Sequence, residues 1–221
     1  MSQEHDTETA FMEATYRALC KHGYADLTMQ DIADETDKSK AALHYHFEGK
    51  EDLLLRFLTY LHEQFRERTA DPAGDTPAER LVALVRTVLE TPADGADQQF
   101  NTAYMEIKAQ APFHEGYREQ LRAIDEGLRV TVRDLVADGV EVGQFPADVD
   151  PDEVAAFVTT YVHGTWTRSA AVGADVSAMR ERLVNYVDDL LADDVAVAVD
   201  PECEASDPER ETSSTDPEGS E

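Results

Sequence analysis

Residues 28–50 read TMQDIADETDKSKAALHYHFEGK, and this stretch decides the fold. Thr28 stands where a helix N-cap belongs, with Asp31 three residues on, close to the reciprocal capping pattern that closes the first turn of a helix. Ile32 and Ala33 follow as the inward face of a short helix. After about four turn residues Ser39 offers a second N-cap, opening a helix over 39–45 that is kept narrow by Ala41 and Ala42. Two short helices joined by such a turn form a helix-turn-helix, whose second helix must be slim enough to enter the major groove. Ser39 and Lys40 at its start present a hydroxyl, a charge and free backbone N–H groups to phosphates or base edges. The same helix pair also occurs in any three-helix module, so pattern alone leaves DNA binding and plain packing both open.

Outward from this segment the helical period persists and strand alternation is almost absent, which predicts an all-α chain of about nine helices. Phe11, Ala14, Ala18 and Leu19 share one face of a first helix over about 6–22 that Gly23 closes. Lys50 opens a longer helix with Leu53, Leu54, Phe57, Leu58, Leu61 and Phe65 as its apolar stripe. ADPAGDTP at 70–77 then breaks the period with two prolines and a glycine, and we place the domain boundary there. Later stripes run through Phe100, Ala103, Tyr104 and Ile107 up to Pro112, and from Leu121 to Leu135 with a stop at Gly139. Asp150-Pro151 reads as a cap with proline at the first helical position. From Asp193 onward the composition is Asp, Glu, Ser, Thr and Pro with Arg210 as the one basic residue, and such a segment is expected to stay disordered.

Charge is the second constraint. The chain carries 19 Lys and Arg against 47 Asp and Glu, a formal net charge of -28, which opposes approach to nucleic acid in ordinary cytoplasm. Either the protein never meets DNA, or its surface is halophilic and works where molar salt cuts the Debye length to about 3 Å. The acids are scattered through every segment, which favours the halophilic reading. With Cys20 in an apolar helical run and Cys203 in the polar tail, no disulfide is expected. No uncharged stretch is long enough to span a bilayer, and the acidic start MSQEHDTETA lacks the basic region of a signal peptide, so a cytoplasmic location with no membrane partner is expected.

Enzyme signatures are missing: there is no Gly-rich phosphate loop, nucleophile elbow or metalloprotease spacing. No cofactor is expected. His44 and His46 are two apart on a helix, point in different directions, and are not read as a metal pair; His46 is read as a hydrogen-bonded packing residue.

Gly23-Tyr24, Thr28-Met29, Asp31-Ile32-Ala33, Ser39-Lys40, Leu43, Tyr45-His46-Phe47, Lys50-Glu51 and Leu53-Leu54, in this order and spacing, resemble the signature of the TetR family of transcriptional regulators. The resemblance covers about 45 residues. It implies an all-helical homodimer with a helix-turn-helix DNA-binding domain at 1–50, a connecting helix and linker at 51–72, a ligand-binding and dimerisation domain at 73–192, and the acidic tail at 193–221. By carry-over, Thr28, Ser39, Lys40, Tyr45 and Lys50 touch the DNA backbone, while Lys40, Ala41 and Ala42 lie near bases. Lys50 takes the place of the family's phosphate-binding lysine. Three positions depart from the pattern: Asp37 stands for the usual turn Gly, Lys38 for an apolar residue and His44 for Tyr. Lys38 and His44 are therefore candidate phosphate contacts of this chain.

The segment 106–166 also looks similar to the regulatory domain of the family's choline-responsive branch. Tyr104, Met105, Phe113, Tyr117, Tyr161, His163 and Trp166 are candidates to line an effector cavity, with plain core as their alternative. The function implied is a ligand-responsive repressor that binds a near-palindromic double-stranded operator as a homodimer and is released by a small molecule. A helical adaptor that has lost DNA binding, and more remotely an enzyme, are the alternatives.

Overall fold

The computed structural model describes residues 2–90 and 96–192; the acidic tail and Cys203 lie outside them. Nine α-helices and no strand occur among the described residues: α1 (Ser2–Asp26), α2 (Met29–Asp34), α3 (Lys40–His46), α4 (Lys50–Thr69), α5 (Pro77–Val88), α6 (Ala96–Gln110), α7 (Glu115–Glu141), α8 (Pro151–Val172) and α9 (Val176–Asp189). The caps read from sequence are formed. Thr28 and Asp31 complete a reciprocal capping box; Thr76 and Glu79 ahead of α5 form a second one that the sequence reading passed over. Ser39 accepts from the Ala42 N–H, and Asp150 accepts from the N–H groups of Asp152 and Glu153 with Pro151 behind it.

Two buried apolar clusters organise the helices. One joins α5, α7, α8 and α9 through residues such as Leu81, Val85, Val132, Val136, Val158 and Leu183. The other gathers α1 to α4 around Phe11, Leu19, Ile32, Leu43, Leu54 and Phe57, and takes in Ala103 and Ile107 of α6 and Tyr117 of α7. Each cluster buries side chains that would be worth about 1.5–3 kcal/mol apiece in transfer terms, so α6 and the start of α7 are held to the N-terminal helices by the same force that holds those helices together.

The end of α7 differs from the sequence reading. Gly139 was expected to stop the helix, yet helical structure continues to Glu141. The glycine serves close approach instead: a Cβ at Gly139 would overlap the ring of Phe145, which is buried in the core. Its carbonyl accepts from the N–H groups of both Gln144 (2.8 Å) and Phe145 (3.2 Å), pinning the turn that folds the ring back. Alanine gains roughly 1 kcal/mol of helix propensity over glycine, whereas forcing a methyl against a fixed aromatic ring costs about 1–3 kcal/mol. Gly139→Ala is therefore expected to lower stability by up to about 2 kcal/mol in denaturant unfolding at fixed salt, and raised stability would contradict this packing.

Candidate nucleic-acid interface and cavity

The helix-turn-helix presents α3 on the surface. Leu43 is its buried anchor, while Lys40, Ala41, His44 and Tyr45 are exposed, Tyr45 at 86 %. Ala42 is half-buried. His46 turns inward, its ring 5.6 Å from that of Phe11 and 5.4 Å from that of Tyr45, as expected of a packing residue. Thr28 and Ser39 hold caps. The Thr28 hydroxyl both donates to Asp31 Oδ2 (2.6 Å) and accepts from the Asp31 N–H, so its main work is to start α2. The Ser39 hydroxyl accepts from Ala42 N–H at 3.1 Å and keeps its own proton to give.

The cations of this unit are unevenly available. Before residue 51 the chain has Arg17, Lys21, Lys38, Lys40 and Lys50 against ten acids. Lys21 Nζ lies 2.7 Å from Glu35 Oε1 and Arg17 donates to the Glu35 carbonyl at 2.9 Å, tying α1 to the end of α2. Lys38 has the Asp37 carboxylate 3.7 Å away. The Lys50 ammonium donates to the Tyr24 carbonyl and sits 4.6 Å from the centroid of that ring; burial pushes its pKa down, with Asp26 and Glu106 acting against. Lys40 alone of the five is exposed with neither a carboxylate within 4.0 Å nor a hydrogen bond among the described residues. Lys50, the expected phosphate contact, is held by the Tyr24 backbone and ring in this structure, and of the five cations Lys40 is left without such a tie among the described residues.

Between the helix-turn-helix unit and the C-terminal helices lies a cavity of about 400 Å³, walled by α4, α5, α6, α7 and α8 with Tyr16 of α1 also lining it. Four of the seven candidates line it: Tyr104, Met105, His163 and Trp166. The other three do not. Phe113 is 80 % exposed in the α6–α7 turn. Tyr117 is buried in the N-terminal cluster, its hydroxyl 3.4 Å from the Glu51 carbonyl. Tyr161 faces α9, donating to the Met179 carbonyl at 3.1 Å and packing on Phe157. Helical spacing groups aromatics by face but does not say which neighbour each face meets. Trp166 is fixed in the wall by its Nε1–H bond to the Val88 carbonyl (3.1 Å), and Phe100 stacks on Tyr104 with ring centroids 5.9 Å apart. His163 Nδ1 lies 3.2 Å from Asp125 Oδ1; burial first, then Lys108, lower its pKa, while Asp125 raises it.

Helix α6 joins the two regions. Tyr104, Met105 and Lys108 face the cavity, while Ala103 and Ile107 are buried against the N-terminal helices. Glu106 Oε2 accepts from the Tyr24 N–H at 2.6 Å, at the place where Gly23 (φ 69°) breaks α1. A β-carbon is disfavoured at that φ, and the glycine also lets the carboxylate in, since a Cβ there would lie 3.2 Å from Glu106 Oε2. This contact spans 82 residues and no local pattern announces it. The one available signal is an acid adjoining the apolar positions 103 and 107. Glu106→Ala leaves the Tyr24 N–H without its charged acceptor, and a stability loss of about 1–3 kcal/mol is expected, with Glu106→Gln recovering most of it. Equal unfolding midpoints for Glu106→Ala and wild type would show that the contact contributes nothing.

Among the described residues no helix is long and apolar enough to cross a membrane. Two family models match the chain: bacterial regulatory proteins of the tetR family over residues 11–57, and the C-terminal region of BetI-type transcriptional repressors over residues 77–192. Similar curated proteins include the HTH-type transcriptional repressor AcnR of Corynebacterium glutamicum, 26 % identical with 78 % of this chain and 86 % of that protein covered. The HTH-type transcriptional regulator BetI of Rhizobium meliloti is 28 % identical over 80 % of this chain and 86 % of its own length. Among solved structures, a TetR transcription regulator from Haloarcula marismortui is 36 % identical, with TM-score 0.78 over 85 % of this chain and all of that one. A transcriptional regulator of Saccharomonospora viridis in complex with choline is 25 % identical, with TM-score 0.72 over 85 % of this chain and 98 % of its own. With an exposed recognition helix at one end and matches to both halves, the chain belongs to the TetR family of DNA-binding transcriptional regulators.

Proposed function

We propose that the protein is a repressor that binds a near-palindromic operator as a homodimer in the cytoplasm and releases it when a small molecule fills the cavity. The observation that carries this reading is α3, a short helix with small and polar residues on its solvent face and one unpaired lysine at its N-terminus. In the bound state Lys40, Ala41 and Ala42 lie along base edges. Ser39, His44 and Tyr45 meet the backbone, with Lys38 reaching a phosphate past Asp37. Thr28 and Lys50 act chiefly by fixing where α2 and α4 start, which sets the height of α3 in the groove.

Two recognition helices related by a two-fold axis read symmetric half-sites. Support for the dimer comes from α8 and α9, which leave an apolar face in solvent: Phe157 is exposed and packs on Tyr186 with ring centroids 4.4 Å apart, beside the exposed small residues Ala156, Thr160 and Gly164. Support for effector release comes from the shared walls: α4 carries Lys50 at one end and cavity residues Leu61, Phe65 and Arg68 at the other. An occupant that prefers one setting of α4 and α6 changes operator affinity by that preference, and DNA changes the occupant's affinity by the same factor.

Lys40→Ala is expected to weaken operator binding about 10-fold while leaving the unfolding midpoint unchanged, because its ammonium supports nothing within the fold. Lys50→Ala is expected to lower both. Footprinting with the wild type should give a two-fold symmetric protected site. A variant Lys40→Ala that binds the operator as well as wild type, or an asymmetric half-site footprint, would contradict this reading.

A further inference from the structure

The cavity wall carries a charge that the sequence did not single out. Lys108 on α6 turns its ammonium over the face of Tyr104, 4.8 Å from the ring centroid, and lines the cavity. The other basic side chain of the wall, Arg68, is held by the Glu90 carboxylate at 3.4 Å and by the Thr87 carbonyl. Lys108 has no carboxylate within 4.0 Å among the described residues. Asp125, the acid nearest in effect from α7, is engaged by His163 from α8 at 3.2 Å. Burial pushes the Lys108 pKa down and Asp125 acts against it, as for an ammonium that lacks a full partner. Tyr104 is raised well above the ordinary phenol range by burial, so it offers a neutral O–H and not a counter-charge.

We infer that the effector is an amphipathic carboxylate, its acid group meeting Lys108 Nζ and its apolar body lying along Phe100, Leu128, Val162 and Trp166. This rests on the proposal that the cavity holds the effector, and deepens it. A quaternary ammonium would seek the electron-rich aromatic faces, yet the Tyr104 face is already covered by a lysine, which would repel a second cation. A neutral apolar ligand would leave the half-buried ammonium unpaired. A carboxylate pairs it with a charge-assisted hydrogen bond, and inside the wall that pair is screened far less by molar salt than one at the surface. The volume suits the class: at about 30 Å³ for a water-sized group, 400 Å³ admits an acid of medium chain length.

Isothermal titration of the full chain in molar KCl with potassium octanoate, 1-octanol and choline tests the inference without DNA. Octanoate should bind at least about 10-fold tighter than either comparator. Lys108→Met should weaken octanoate about 10-fold or more and leave 1-octanol within about 2-fold, while Lys108→Arg retains octanoate; circular dichroism checks that each variant is folded. Tighter binding of choline, no binding of octanoate, or octanoate affinity indifferent to both Lys108→Met and Lys108→Gln would overturn it. Operator release is read separately: octanoate that binds through Lys108 without changing operator affinity would uphold the ligand chemistry and contradict effector control.

Discussion

The seat of α1 on α6 is the contact on which the rest of the molecule depends. Ala103 and Ile107 enter the same apolar cluster as Phe11, Leu19 and Phe57, and Glu106 reaches the Tyr24 N–H at the break in α1. Without that seat the helix-turn-helix would be held to the C-terminal helices only through α4 and the start of α7, where Tyr117 enters the N-terminal cluster. With it, the side of α6 that meets the cavity and the side that meets α1 are fixed to one rigid rod. Any displacement of Tyr104 or Lys108 must then be transmitted to the Gly23–Tyr24 turn or absorbed by strain, since packed interiors deform little. Lys50 completes the corner, bonding the Tyr24 carbonyl while Glu106 bonds its N–H, so one residue's backbone reports on both α4 and α6.

The charge balance places a second demand on the fold. A chain of formal charge -28 approaches a polyanion uphill, and its few cations cannot all serve DNA. Arg17 and Lys21 are used on Glu35 and Lys50 on Tyr24, which builds a well-defined recognition unit at the expense of long-range attraction. In the proposed function, affinity comes from close hydrogen bonds and shape at α3, where Lys40, Ser39 and Tyr45 are displayed. Molar salt suits this arrangement, because it screens the acids without weakening hydrogen bonds made in contact.

Much of this was legible in the residues. Caps at Thr28, Ser39 and Asp150 are local and can be read from residue type and spacing, and the stripes of α1 and α4 follow from helical period; the equally local box of Thr76 and Glu79 was passed over because 70–77 read only as a break. His46 packs on Phe11 as read, but the hydrogen bond read with it is not formed among the described residues. What local spacing cannot reveal is which faces meet. Phe113, Tyr117 and Tyr161 were grouped with Tyr104 because aromatics on successive helices look alike, yet they face solvent, the N-terminal cluster and α9. Lys108 and Glu106 were passed over for the converse reason. A charged residue reads as solvated surface until tertiary packing turns it inward, and both owe their roles to partners that are far away in sequence or lie across the cavity.

Salt dependence of operator affinity tests the account most directly. A basic repressor loses affinity with rising salt at about 0.9 in log–log slope per phosphate neutralised, as counterions leave the DNA. Here cations must be retained between carboxylates and phosphates, which offsets that release. Fluorescence anisotropy of a labelled operator, measured with folded protein from about 0.5 M to about 2 M KCl, a range in which the Debye length is only a few Å, should give affinity that is flat or rises. A steep negative slope would contradict the claim that this acidic surface is compatible with specific binding through α3 in brine.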